Sequence, residues 1–179
     1  SGVRSQPNLV NIERVEIIKG PAAALFGNTD PGGTINRVTK RPLDEEKKSI
    51  SFSTGTFNTY RTTVDLTGPA NKSKTLLYRL NAGYENSETF KTLQGFQDIT
   101  IAPSITFVPN HKTRLNFDLA YSLTDGKLYR GQAIFGATAG TQLNSTPISF
   151  AIAKPNDFLK EKNFYSTISL SHRFNDNLT

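Results

Sequence analysis

Cysteine and methionine are both absent from the 179 residues, and histidine occurs only as His111 and His172. Without cysteine there is no disulfide scaffold, no thiolate zinc site and no thiol nucleophile, although the compartment stays open. Two histidines are too few for a His-rich metal site. The lack of methionine, with no secretory leader behind Ser1, leads us to expect an internal segment of a longer chain. Long apolar runs are missing too. Hydrophobic residues make up 36% of the chain, the mean hydropathy is −0.42, and no stretch approaches the roughly 20 apolar residues of a membrane helix. That excludes a helical membrane protein. It does not exclude a β-barrel, in which alternating lipid-facing and lumen-facing residues keep average hydropathy near that of a soluble chain.

The formal charge of +6 is spread thin, with six Lys/Arg against three acids in residues 1–42 and fifteen against twelve beyond them. A nucleic-acid binder would gather that charge into a stripe interleaved with stacking aromatics, so nucleic acid is not an expected partner. Catalytic motifs fail as well. The stretch from Gly20 to Gly27 lacks the Gly-Lys-Ser/Thr ending of a phosphate-binding loop. Neither histidine has a serine or carboxylate at motif spacing. Glu13 and Glu16 stand beside Arg14 and Lys19, where salt bridging is the simpler reading. No enzyme is expected.

The chain changes character near Pro42. Before it, Ile12, Val15, Ile17 and Ile18 suit a strand buried on at least one face, which Gly20-Pro21 ends because proline cannot donate to a ladder. Residues 22–26 read as a short helical turn stopped by Gly27, and Pro31, Gly32 and Gly33 belong to a compact turn before a second strand from Thr34 to Lys40. Residues 43–48, polar and following a proline, read as a connector. Beyond them the pattern becomes long alternating segments. From Leu76 to Glu85 one face carries Leu76, Tyr78, Leu80, Ala82 and Tyr84 and the other Leu77, Arg79, Asn81, Gly83 and Glu85. From Leu115 to Leu123 the same split recurs, and weaker alternation elsewhere brings the total to six strands. The turns at 68–73 and 109–112 are short and share one rim, whereas the loops at 86–97 and 124–161 are longer and share the other, the asymmetry of an outer-membrane barrel. Alternating runs of about ten residues match a tilted membrane strand better than a soluble one. A soluble β-rich interaction or glycan-binding module, built as an antiparallel sandwich, is the alternative.

The run from Ile12 to Gly27 (IERVEIIKGPAAALFG), then Pro31 to Pro42 (PGGTINRVTKRP), closely resembles the end of the plug domain in TonB-dependent outer-membrane receptors, in particular the ferric-siderophore branch. Gly55 to Arg61, Asp65 to Pro69, Tyr78 to Tyr84 and Ala102 to Ser104 are similar to that family's first barrel strands. The resemblance implies a mainly β fold, part of a 22-stranded antiparallel transmembrane β-barrel holding the C-terminal part of an α/β plug. On it, residues 1–42 are the C-terminal part of the plug, 43–48 the connector and 49–179 the first six barrel strands, with a long extracellular loop at about 124–161. It also implies TonB-dependent import of a ferric siderophore across the outer membrane of a Gram-negative bacterium, powered by the TonB-ExbB-ExbD complex. The ferric siderophore is cargo, no intrinsic cofactor or metal is expected, and outer-membrane lipid is the surrounding medium. Candidate plug-to-barrel contacts are Arg14, Glu16 and Lys19 against Arg79 and Glu85, with Asp65 and Asp118 as further wall partners. Tyr129, Arg130, Gln132 and Phe135 in the long loop are candidate ligand contacts, since basic and aromatic groups suit anionic chelates. Gly20, Pro21, Gly27, Pro31, Gly32 and Gly33 are read as structural turn residues of the plug.

Overall fold

The computed structural model describes residues 9–18, 34–127, 147, 149–150 and 154–174. They form eight strands in two sheets. Strands β1 (Ile12–Ile18) and β2 (Thr34–Thr39) pair antiparallel as a hairpin of their own. Strands β3 (Lys47–Gly55), β4 (Thr59–Pro69), β5 (Leu76–Glu88), β6 (Gly95–Asn110), β7 (Thr113–Gly126) and β8 (Leu159–His172) form an antiparallel meander in sequence order. No helix of the described residues is long and apolar enough to cross a membrane, which says nothing of strands.

The larger sheet is built inside out. From Ile99 to Phe107 of β6 the exposed residues are Ile99, Ile101, Ile105 and Phe107, interleaved with buried Thr100, Ala102, Ser104 and Thr106. Register carries this across the sheet: Ile105 stands opposite Tyr78 and Phe117, and Phe117 opposite Ile168. Two rows away Ile101 faces Ala82 and Tyr121, and Tyr121 faces Phe164. These cross-strand rows make a continuous apolar outer face. The most deeply buried side chains are polar, Asn81 and Thr67 at 1% exposure and Thr106 at 2%, and the buried apolar residues among those described are few, Val10, Leu77 and Ala102 with Pro42 of the connector. A soluble sandwich has the opposite distribution, because burial of apolar area is what drives its folding.

Polar groups on the inner face survive burial because they bond to one another. Thr106 Oγ1 donates to Asn116 Oδ1 at 2.8 Å and Asn116 Nδ2 to Ser169 Oγ at 3.1 Å, a chain of side chains crossing three strands. Thr124 Oγ1 and Thr100 Oγ1 donate to the two carboxylate oxygens of Asp98 at 2.7 and 3.1 Å.

Several strand ends differ from the sequence reading. The loop expected at 86–97 is mostly paired strand: Asn86 faces Gln97 and Glu88 faces Gly95, leaving a turn at 89–94 as long as the one at 70–75. The expected loop at 124–161 is likewise paired at both ends, Thr124 with Glu161 and Gly126 with Leu159. Polar runs such as Gln97-Asp98 look like loop in isolation, but here their alternate members line a polar wall. The connector shortens, since β3 already starts at Lys47. Residues 22–33, where the helical turn and the Gly27, Pro31, Gly32 and Gly33 turn were expected, lie outside the described residues, as do Lys19, Gly20 and Pro21. The expected burial of β1 is also corrected. Val15 and Ile17 are exposed at 48% and 68% beside Ile35 at 66%, because the hairpin meets the sheet through its end around Leu9, Asn11, Thr39 and Lys40 and not through this face.

Candidate functional site

Chain continuity fixes where the hairpin meets the wall: β2 runs through Lys40 to Glu46 directly into β3. Lys40 is held by the hairpin itself, its N–H donating to Asn11 O at 2.8 Å. Its ammonium reaches the inner wall, 2.9 Å from Asp65 Oδ2 on β4 and 3.4 Å from Asn81 Oδ1 on β5. Asp65 in turn accepts a two-pronged bond from Arg79, Nε to Oδ1 at 2.9 Å and Nη2 to Oδ2 at 2.8 Å. Arg79 spends its remaining prong on the connector, Nη1 donating to Arg41 O at 2.8 Å. Two residues on, the Leu43 N–H donates to Thr67 Oγ1 at 3.0 Å, and Thr67 Oγ1 donates to Tyr78 O at 2.9 Å. Pro42 is buried between them. The guanidinium fork matches one carboxylate while serving a carbonyl on another element, which a lysine cannot do.

The sequence candidates distribute differently from expectation. Arg14 and Glu16 bond to each other at 2.8 Å along β1, and Asn36 Nδ2 on β2 donates to the other Glu16 oxygen at 2.9 Å. The Asn36 amide and then the Arg14 guanidinium hold the Glu16 carboxyl below the usual carboxylate range. Arg79 reaches the connector as described, whereas Glu85 faces Arg61 on the wall at 3.8 Å. Among the described residues the hairpin's charged hold on the wall is therefore Lys40, not Arg14 or Glu16, and Lys40 was missed by sequence reasoning. The signal for it was the domain boundary, since residues nearest the junction are necessarily close to both parts.

Among the described residues, cavities flank the wall. One of about 230 Å³ lies between the hairpin and the inner face, lined by Asn11, Arg37, Lys40, Ser104 and Asp118. The buried Ser104 Oγ there has no hydrogen-bond partner. The second, of about 990 Å³, opens at the rim where β5 turns into β6 and where the long β7–β8 connection leaves and returns. Phe90, Lys91, Gln94, Lys127 and Phe158 line it. Phe90 packs edge-on against Phe57 at 6.4 Å, and Lys91 sits 5.9 Å above the Phe90 ring. The Thr92 N–H donates to Ser149 O at 2.8 Å, bringing the long connection onto this turn. Tyr129, Arg130, Gln132 and Phe135 lie outside the described residues, in the connection that starts at Lys127.

An apolar outer face, a polar inner wall and a separate hairpin tied to that wall define a class, the membrane-spanning barrel with a plug in its lumen. The comparisons agree. Residues 1–34 match the family model of the TonB-dependent Receptor Plug Domain. The chain is 36% identical to the metal-pseudopaline receptor CntO of Pseudomonas aeruginosa, over 98% of this chain and 24% of that protein. It is 28% identical to the ferrichrome outer membrane transporter/phage receptor of Escherichia coli K12, over 100% of this chain and 25% of that protein. The solved structure of P. aeruginosa FpvA bound to heterologous pyoverdines superposes with a TM-score of 0.88 at 24% identity, over 98% of this chain and 24% of that one. In sequence and in fold the chain matches the TonB-dependent siderophore receptors across plug and barrel strands. It spans about a quarter of the length of the curated relatives it matches.

Proposed function

We propose that these residues form part of an outer-membrane receptor that imports ferric siderophores, driven by the TonB-ExbB-ExbD complex. The observation that carries the reading is the inverted sheet with a hairpin tied to its polar face. Such a wall is stable only with lipid outside and a wet, filled lumen inside. In this reading the hairpin is part of the plug, and the Lys40–Asp65–Arg79 cluster anchors it. The chelate arrives at the rim of the long loop, where Phe90 and Phe158 offer aromatic faces and Lys91 and Lys127 positive charge to an anionic complex. Tyr129, Arg130, Gln132 and Phe135, which follow Lys127 in the sequence, are proposed as further contacts on their chemistry. The work is binding and gated passage, not bond chemistry.

The test is uptake of radiolabelled ferric siderophores by iron-starved cells whose only such receptor is the complete protein containing this segment. Uptake that disappears when TonB is deleted is expected, and uptake indifferent to TonB overturns the reading. The likeness to a metal-pseudopaline receptor favours including chelates of other metals in the same panel.

A further inference from the structure

Among the described residues, Phe57 at φ 57°, Asn58 at 52° and Leu93 at 59° place non-glycine side chains on left-handed backbone at the long-loop rim. Lys74, at 54°, does so at the opposite rim, in the β4–β5 turn. That conformation favours glycine and is tolerated by asparagine, whereas a larger side chain brings its Cβ against the following carbonyl oxygen. Phenylalanine gains nothing locally from it, so Phe57 is held there by contacts outside its own turn.

Those contacts run to the end of β5. The Glu88 N–H donates to Phe57 O at 3.2 Å, and Nδ2 of the buried Asn86 donates to Asn58 O at 2.8 Å. Asn58 Nδ2 reaches Glu88 Oε1 at 3.2 Å, and the hydroxyls of Thr59 and Ser87 lie 3.3 Å apart. The β3–β4 turn is thus bonded to the strand end that leads straight into Phe90. There the Phe57 ring meets the Phe90 ring edge-on, and Phe90 in turn carries the Lys91 ammonium over its face. Phe90 and Lys91 line the cavity at this rim, and Phe57 does not. Within the β5–β6 turn, the bonds from Thr89 N–H to Gln94 O and from Gln94 N–H to Lys91 O tie the backbone and do not touch the Phe90 ring.

We propose that Phe57 is a positioning residue for chelate binding: its left-handed backbone aims the ring at Phe90, and the ring pair fixes the aromatic face and the Lys91 charge before the chelate arrives. This rests on the reading of that cavity as the chelate's entry site. A contact surface ordered in advance spares binding the cost of ordering it. An edge-on ring pair contributes about two- to ten-fold in an equilibrium constant.

The test measures binding of ferric tris-hydroxamate, tris-catecholate and carboxylate chelates to the complete receptor, together with its melting temperature and the saturating rate of uptake by cells. Phe57→Gly removes the ring and relieves the backbone. It is expected to weaken affinity about two- to ten-fold while the melting temperature is unchanged or raised and the saturating rate is unchanged. Phe57→Tyr keeps the ring and is expected to keep the affinity. Lys74→Gly relieves the same backbone conformation at the far rim and is expected to leave affinity alone. Unchanged affinity in Phe57→Gly, equal loss in Lys74→Gly, or a loss of affinity that follows a fall in melting temperature overturns the proposal. If Phe57→Gly fails to fold, Phe57→Leu decides, and full affinity in that variant overturns it. Loss of affinity in Phe90→Ala without loss in Phe57→Gly overturns the positioning role and leaves the entry site standing. Full affinity in Phe90→Ala, or an unaltered receptor that binds none of the three chelates, overturns the entry site and this proposal with it.

Discussion

Asp65 is the residue on which the junction depends. It answers two cations from different elements, and its loss would leave Arg79, whose side chain is 13% exposed, and Lys40, at 25%, without a carboxylate. Replacing it by asparagine keeps the shape and removes the charge. Asp65→Asn is expected to lower stability by about 2 kcal/mol, the range for hydrogen bonds to charged groups in partly solvated sites. Urea unfolding of the refolded receptor in lipid vesicles measures this, and an unchanged midpoint would remove the cluster from the account of how the hairpin is held. Asp65 and Arg79 were legible as wall residues because their neighbours alternate. Their mutual pairing was not, because it depends on register: Asp65 lies opposite Asn81 and Thr67 opposite Arg79, so the pair is diagonal on one face.

At the scale of the strand, a shift of one position exchanges lipid for lumen. Phe117 belongs to the outer rows, while Ser122 points to the inner face and lines the hairpin cavity. Phe117→Arg is therefore expected to cost about 2–4 kcal/mol in a bilayer, as for a charge near the midplane of a barrel strand. Ser122→Arg, facing a wet lumen, is expected to cost much less in the same vesicle unfolding assay. Equal costs would contradict the assignment of faces. The period of two that underlies this contrast was readable in Leu76 to Glu85 and Leu115 to Leu123, because a strand with one lipid face must alternate. Strand ends were less readable. At Asn86 to Gln97 and Thr124 to Glu161 the outward residues stop being apolar as the strand leaves the hydrocarbon, although ladder pairing continues. Hydropathy reports the medium and not the hydrogen bonds, so it ended the strands too early.

For the whole molecule, the inverted sheet predicts behaviour in solution. The outer rows expose Ile168 and Leu170 at 69% each and Ile50 at 74%, and β3 and β8 present open edges. Residues 1–179 expressed alone are expected to associate in water and to become monodisperse only in detergent, as read by size-exclusion chromatography with light scattering. A water-soluble monomer would revive the interaction-module alternative. The two-part organisation was visible in composition, but the residues joining the parts were not. Lys40 and Arg41 look like ordinary surface charge until the wall is folded against them.

The junction also limits how far the hairpin can travel. Between β2 and β3 lie only residues 40–46, a tether of about 25 Å when fully drawn out. The hydrocarbon layer around the wall is roughly 30 Å thick. Even with every bond from Lys40, Arg41 and Leu43 broken, Thr39 remains leashed to a strand of the surrounding wall. Any movement of the hairpin away from the wall therefore keeps Thr39 within that reach of Lys47.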